Sequence, residues 1–195
     1  MHKDRLEAFS DGVIAIIITV MVLELRPPQS TDPAALRPLI PIFLSYVLSF
    51  INLGIYWNNH HHLIQAVEHV NGRVLWSNLF LLFWLTLFPF GTTWMGETNF
   101  AEWPVVFYGI DLLMAAFAYF LLVRALLSLH GQKSKLAEAL GNGLKERISL
   151  VLYVTALLLA FVYPWIACGI YVLVAAIWFA PDQRIERRLE EHSHK

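Results

Sequence analysis

The sequence predicts an all-α integral membrane protein with six transmembrane helices in each chain. Hydrophobic residues make up 57% of the 195 residues and charged residues only 15%, whereas a soluble domain has about 25% charged residues. Beyond the N-terminal apolar segment, four stretches are long and nearly free of charge: residues 39–57, 75–94, 105–127 and 148–180. No linker or low-complexity segment divides the chain, so we interpret residues 1–195 as one domain.

The bounds of the predicted helices follow from the length that a bilayer requires, about 20 helical residues. The approximate helices are 5–25, 39–62, 72–95, 104–128, 146–162 and 164–180. The charge-free run 148–180 is too long for one span. Pro164 lies inside this run and removes a backbone donor, which predicts a tight hairpin between two helices.

The distribution of basic residues supports six spans. With both termini in the cytoplasm, every Lys and Arg except Arg26 and Arg37 lies on the cytoplasmic side. Lys and Arg prefer cytoplasmic loops, so the pattern predicts a multi-pass protein of the cell (inner) membrane with cytoplasmic termini. The net charge of −1 argues against a nucleic-acid partner.

The first apolar stretch could instead be a cleavable signal peptide. Its entrance, however, mixes acidic and basic residues, and no Ala-x-Ala site follows it. We therefore interpret it as a permanent helix.

One face of this first helix is apolar except for a single hydroxyl. At about 100° per residue, an arc of about 100° holds Gly12, Ile16, Thr19, Val20 and Leu23. Such a face is typical of a protein core or of a lipid-facing surface. If copies met around a symmetry axis, it would form a narrow apolar channel with one ring of hydroxyls.

Polar residues predict a hydrogen-bonded network at the cytoplasmic ends of the first three helices. A carboxylate facing lipid is costly, so we expect Asp11 to face protein. The candidate partners come from the ends of helices two and three: Trp57, Asn58, Asn59, His60, His61, His62, Arg73, Trp76 and Asn78. The alternative is that these residues only anchor the helices at the membrane interface.

The segment "RLEAFSD", from Arg5 to Asp11, resembles the RxxxFSD signature on the first helix of the transmembrane-protein-175 potassium channel family. The likeness continues through "YWNNHH" and "NGRVLWSNLFLLFWLTLFPF" and covers residues 4–95. It implies a potassium-selective or potassium-preferring cation channel without a re-entrant pore loop. It further implies a homotetramer in the lipid bilayer, with the first helix lining a central pore, potassium as the permeant ion and no cofactor.

The resemblance also implies roles for individual residues. The apolar constriction falls on Ile16, with Val20 and Leu23, and the hydroxyl associated with potassium preference falls on Thr19. Ala15 stands where animal members have a serine, so we expect weaker selectivity. The residues implied to form a structural network are Arg5, Phe9, Ser10, Asp11, Trp57, Asn59, His60, His61, Trp76 and Asn78. Arg5 also suits the cytoplasmic mouth of the pore.

Two other classes of protein compete with a channel. A membrane metalloenzyme could use the residues His60, His61, His62, Glu68 and His69, but the other histidines lie in the termini or a loop, and we expect no enzyme and no metal site. A proton-coupled transporter could use Asp11, Glu24 and Asp111, but no internal repeat is evident. Residues 128–149 are interpreted as a connector rather than as a surface helix.

Overall fold

The computed structural model describes residues 3–131 and 144–179, and this part of the chain is helical. The α-helices are α1 (Asp4–Leu23), α2 (Ile40–Gln65), α3 (Gly72–Thr86), α4 (Phe88–Glu97), α5 (Glu102–His130), α6 (Leu144–Ala160) and α7 (Pro164–Phe179). A 3-10 helix, Pro33–Leu39, leads directly into α2. The segment interpreted as a connector, 128–149, lies largely outside the described residues.

Four helical stretches of the described residues are long and apolar enough to cross a membrane. They are Asp4–Leu23, Pro33–Gln65, Gly72–Glu97 and Glu102–His130. The last two helices, α6 and α7, have 17 and 16 residues. Six helical stretches therefore correspond to the six predicted spans.

The third span differs from its prediction because it is two helices rather than one. α3 ends at Thr86 and α4 begins at Phe88, with Leu87 between them. Pro89 lies in the first turn of α4, where proline is tolerated, although it restricts the residue before it. The span is thus broken near its middle by the proline that the sequence places there.

Local capping explains where several elements begin. The Asn71 side chain accepts a hydrogen bond from the Val74 backbone N–H at 3.0 Å and starts α3. Asp32 caps the 3-10 helix in the same way, through the Ala34 N–H at 2.8 Å.

α6 and α7 are joined by three residues, 161–163, ahead of Pro164, so the hairpin lies where the sequence predicts it.

α5 is the central element of the bundle. Buried residues occur along its whole length, and it packs against α3, α4, α6 and α7. α1 packs against α2, α3 and α4 and makes its main contacts with these three helices. The first helix therefore lies at one side of the bundle, with one of its faces covered.

Gly96 allows α4 to approach α2 closely. A Cβ atom at this position would lie 2.5 Å from Ser45 Oγ and 2.7 Å from Ile42 Cα, and the backbone atom cannot yield cheaply. We expect Gly96→Ala to destabilise the protein by about 1–3 kcal/mol. The measurement is the denaturation midpoint of the purified protein in detergent.

Gly54→Ala is the matched control, because a Cβ there meets no atom within 4 Å. This variant should keep the wild-type midpoint or exceed it, since alanine favours helix. Equal midpoints for the two variants would show that the α2–α4 contact is not as close as described.

Candidate functional site

α1 has one covered face and one bare face. The covered face packs into the bundle through Leu6, Ser10, Ile14, Ile17 and Met21. The helical period brings these residues to one side. Because the face is fully occupied by neighbours, it determines how α1 is rotated about its own axis.

The bare face is the arc that the sequence distinguishes. Ile16 is 62% exposed and Leu23 is 76% exposed, and Gly12, Thr19 and Val20 are exposed as well. A Cβ atom at Gly12 would meet nothing within 4 Å. The face is therefore not part of the core of this chain. A lipid-facing surface and a channel lining are the two interpretations that are left.

Thr19 is the polar side chain in the middle of this arc. Its Oγ1 donates a hydrogen bond to the Ile16 carbonyl of the same helix at 2.8 Å. The hydroxyl proton is thereby used within the helix. The oxygen lone pairs are the groups left to interact with anything that approaches the bare face.

A buried chain of hydrogen bonds joins α1, α2 and α3 at the end of the bundle where α1 begins. Asn78 Nδ2 donates to Ser10 Oγ at 2.9 Å, and Ser10 Oγ donates to the Leu6 carbonyl at 2.8 Å. Asn78 Oδ1 lies 2.7 Å from His60 Nε2, and since an amide oxygen only accepts, this nitrogen carries the proton. Ser10, His60 and Asn78 are all buried.

A second, more exposed set of contacts joins α1 to α2. Trp57 Nε1 donates to Asp11 Oδ1 at 3.0 Å, and His61 Nδ1 lies 3.1 Å from Glu7 Oε1. The Trp57 and His61 rings are stacked, with their centroids 5.9 Å apart. Asp11 thus faces protein, and its partner is an indole on α2.

Several predicted members of the network lie elsewhere. Trp76 is 75% exposed, and Phe9 is exposed on the bare side of α1. Trp76 and Asn78 are about 200° apart on their helix, so both cannot face α1. Arg5 is exposed and has no hydrogen bond or ion pair with a described residue. Asn59 donates to the Ile55 carbonyl of its own helix at 2.8 Å, and its side chain makes no hydrogen bond with a described residue of α1.

Sequence reasoning missed two contributors to the site. Glu7 is one turn before Asp11, and residues four apart share a helix face, so this spacing could have indicated it. The other is Lys3, whose Nζ donates to the Ile64 and Gln65 carbonyls at 3.2 and 3.0 Å. This ammonium group satisfies carbonyls at the end of α2.

The three adjacent histidines of α2 serve separate contacts. His62 Nδ1 bonds the Asn58 carbonyl at 2.9 Å, while His60 and His61 face α3 and α1. Within residues 3–131 and 144–179, no group of three His, Cys, Asp or Glu side chains could hold a metal ion. The arrangement is that of hydrogen-bonded packing.

The fold and this site define an all-α, multi-pass membrane protein whose first helix is packed on one side and bare on the other. The family model described as "Endosomal/lysosomal potassium channel TMEM175" matches residues 5–89. A potassium channel of Chryseobacterium sp. (strain P1-3) is 55% identical over 192 residues, which is 98% of this chain and 100% of that protein. The chain belongs to the TMEM175 family.

Two further comparisons agree with this membership. A potassium channel of Chamaesiphon minutus is 32% identical over 188 residues, covering 90% of this chain and 92% of that one. The crystal structure of a lysosomal potassium-selective channel TMEM175 homolog from the same organism superposes with a TM-score of 0.80. It has 27% identity and covers 92% of this chain and 97% of that one.

These findings confirm the predicted family and the predicted all-α membrane fold. They also confirm that the chain is a channel-family protein and not an enzyme, since the relatives are channels. A multi-pass membrane location follows from the apolar helices and the family. The metalloenzyme interpretation is thereby excluded.

Asn78 is the residue on which the buried hydrogen-bonded chain depends, because it contacts both Ser10 and His60. We expect Asn78→Ala to lower the free energy of unfolding by about 1–3 kcal/mol, since it leaves buried polar groups unsatisfied. Denaturation in detergent measures this loss.

Asn58→Ala is the control, because the Asn58 side chain makes no hydrogen bond with a described residue. The free energy of unfolding of this variant should be close to that of the wild type. A loss of equal size in both variants would contradict a special role for Asn78.

Proposed function

We propose that this protein is a potassium-selective or potassium-preferring cation channel, without a re-entrant pore loop, in which α1 lines the conduction path. The observation that carries the proposal is the bare face of α1, a continuous apolar surface with one hydroxyl, on the helix where the match to the family model begins. Relatives that match nearly the whole chain are named potassium channels. Potassium is then the permeant ion, and no cofactor is required.

The proposed assembly is a homotetramer with α1 of each chain next to the axis. Closed symmetry supplies an axial opening when identical faces of several chains meet around an axis. The bare face of α1 is suited to this position because its branched side chains are left exposed by the described residues of the chain. The other helices would then separate α1 from the lipid.

Ile16, Val20 and Leu23 are the proposed constriction. Rings of such side chains form a narrow apolar passage, and passages of this kind control conduction by excluding water. Ile16 and Leu23 are two turns apart on one side of α1. The passage would therefore contain successive apolar layers along the axis.

Thr19 is the proposed selectivity residue. Its hydroxyl donates to the Ile16 carbonyl, so its lone pairs are directed away from the helix backbone. A ring of such oxygens can replace part of the hydration shell of a potassium ion. With Ala15 in the adjacent layer, this is the one hydroxyl ring that the bare face provides.

Arg5 is assigned to the mouth of the pore rather than to the packing network. It is exposed on the side of α1 that carries Ile16, and the nearby carboxylates of Glu7 and Asp11 already contact His61 and Trp57. A guanidinium there would slow the entry of cations from that side.

The proposed location is the inner membrane with both termini cytoplasmic, which the distribution of Lys and Arg supports.

Thr19→Val should lower the permeability of potassium relative to sodium while conduction persists. The substitution removes the oxygen and keeps the branched shape. Reversal potentials under opposing potassium and sodium gradients, with the purified protein in planar bilayers, measure the ratio. Wild-type currents that require a pH gradient would instead support a proton-coupled transporter and overturn the channel proposal.

Thr86→Val is the matched control for Thr19→Val. Thr86 is also exposed, and its Oγ1 donates to the carbonyl three residues earlier, Phe83, at 2.6 Å, but it lies on α3. The control should keep the wild-type reversal potential. A Thr19 variant with an unchanged reversal potential would remove Thr19 from the selectivity mechanism.

Ile16→Asn should increase the current at a given protein density, because an amide hydrates the apolar layer and lowers its barrier to water and ions. The control is Val22→Asn. Val22 is exposed on the same helix but points about 120° away from Ile16, and its variant should leave the current unchanged. If the Ile16 variant conducts as the wild type does, the narrowest point lies elsewhere.

A further inference from the structure

Two histidines from distant segments meet at the end of the bundle where α1 begins. His69 lies in the loop between α2 and α3, and His130 is the last residue of α5. Their ring centroids are 4.8 Å apart, and the rings are inclined at 46° to each other. Neither imidazole makes a hydrogen bond with a described residue of α1. The pair therefore lies outside both the bare face of α1 and the hydrogen-bonded chain through Asn78.

The backbone around each histidine is fixed by apolar packing. Val67 and Val70, on either side of His69, are 1% and 2% exposed, so the loop is anchored in the core. Leu126, one turn before His130, is completely buried. α5 ends directly after His130, where Gly131 has a φ of 85°, a conformation that favours glycine. The two imidazoles are thus held next to each other by the fold and not by a bond between them.

The hydrogen bond of His130 determines which of its two nitrogens is free. Nδ1 lies 3.1 Å from the Leu126 carbonyl oxygen, and because a carbonyl only accepts, Nδ1 carries the proton. The neutral ring then has its lone pair on Nε2. This atom is buried and has no hydrogen bond with a described residue. A backbone carbonyl bound to one ring nitrogen is the usual support of a histidine that ligates a metal through the other nitrogen.

His69 supplies a second nitrogen donor on the solvent side of the pair. Its side chain is exposed, and its imidazole makes no hydrogen bond with a described residue, His130 included. The lone pair of His130 Nε2 is therefore not satisfied by a proton from His69, and a buried acceptor without a partner costs stability. An ion that approaches from the solvent beside His69 would satisfy this acceptor.

The separation of the two rings fits a single tetrahedral metal ion. Zn–N bonds are about 2.0–2.1 Å long, so two imidazoles bound to one tetrahedral ion have ring centroids about 5 Å apart. The centroids of His69 and His130 are 4.8 Å apart. Imidazole nitrogen is a ligand that zinc, copper and nickel accept, and water can complete the coordination. With two protein ligands, the pair differs from the groups of three that the described residues lack.

The adjacent rings of His61 and His62 on α2 do not form such a pair. His62 resembles His130, because its Nδ1 bonds the carbonyl four residues earlier. The nitrogens of His61, however, are both occupied by neighbours. Nε2 lies 2.8 Å from Gln65 Nε2, and Nδ1 lies 3.1 Å from Glu7 Oε1. The centroids of the two rings are also farther apart, at 5.8 Å.

We infer that His69 and His130 of each chain form a binding site for a divalent metal ion, with Zn²⁺ as the ion that fits best. His130 Nε2 and one ring nitrogen of His69 each donate a lone pair to the ion and displace a water molecule from it, and the rings stay neutral. The bound ion joins the α2–α3 loop to the end of α5. The inference does not depend on the proposed potassium conduction, because neither histidine lies on α1.

Thermal denaturation of the full chain in detergent, stripped of metal and titrated with Zn²⁺ at neutral pH, tests the site. The site joins segments that are far apart in the chain, so it exists only in the folded state. A ligand of the folded state alone stabilises it in proportion to the logarithm of its concentration once the site is saturated. The midpoint of the wild type should therefore rise with each tenfold increase in Zn²⁺. No rise in the wild type would overturn the proposal.

His69→Gln and His130→Gln should each remove the rise with Zn²⁺, and the double variant should lose no more than either single variant. His62→Gln is the matched control and should keep the rise, since His62 has the same bond to its own helix but no free partner ring. His69→Gln is the decisive variant, because an exposed side chain can be replaced without leaving a cavity. A wild-type rise in folded His69→Gln would place the zinc elsewhere and overturn the site.

The number of zinc ions bound gives a second measurement. Competition with a chromogenic zinc indicator should show one more Zn²⁺ per chain in the wild type and in His62→Gln than in His69→Gln or His130→Gln. Equal numbers in the wild type and the folded His69 and His130 variants would overturn the proposal, whatever the denaturation midpoints are.

Discussion

The hydrogen-bonded chain through Ser10, Asn78 and His60 is the constraint on which the rest of the structure depends. Where water is excluded, no solvent can replace the bonds of Asn78 to Ser10 and His60. α1 can therefore neither rotate nor slide against α2 and α3 without leaving buried polar atoms unpaired. This fixed rotation turns Ile17 and Met21 into the bundle and leaves the opposite face of the same helix uncovered. The hydrogen bonds at the N-terminal end of α1 thus determine which side chains of the same helix are exposed several turns away.

Much of this organisation could be predicted because it depends on local periodicity. The spans follow from charge-free lengths, the hairpin follows from Pro164, and the bare face of α1 follows from the helical period. Membership of the network was harder to predict. Trp76 and Asn78 both carry a polar group and are two residues apart, but only one of them can face α1. The sequence alone does not show how a helix is rotated about its own axis. The spacing of Trp76 and Asn78 does exclude that both face α1.

Features that depend on packing between distant segments could not be predicted. The contact of Ser49 with Thr92 joins residues far apart in the chain, and nothing local in either segment indicates it. Asp111 is likewise buried with no hydrogen bond to a described residue, and nothing in its own segment indicates this. The bundle therefore combines a first helix whose outward side chains are set by periodicity with an interior whose polar contacts are set by three-dimensional packing.

The break at Leu87 divides the third span into two parts with different attachments. α3 is bonded to α1 and α2 through Asn78, whereas α4 is bonded to α2 through Thr92 and Ser49, and Ser49 is bonded in turn to Tyr108 of α5. A pivot at Leu87 would leave both sets of bonds intact. Because α4 packs against α1 as well as against α2 and α5, a tilt of α4 about Leu87 would change the support of the first helix directly, on the side opposite its bare face.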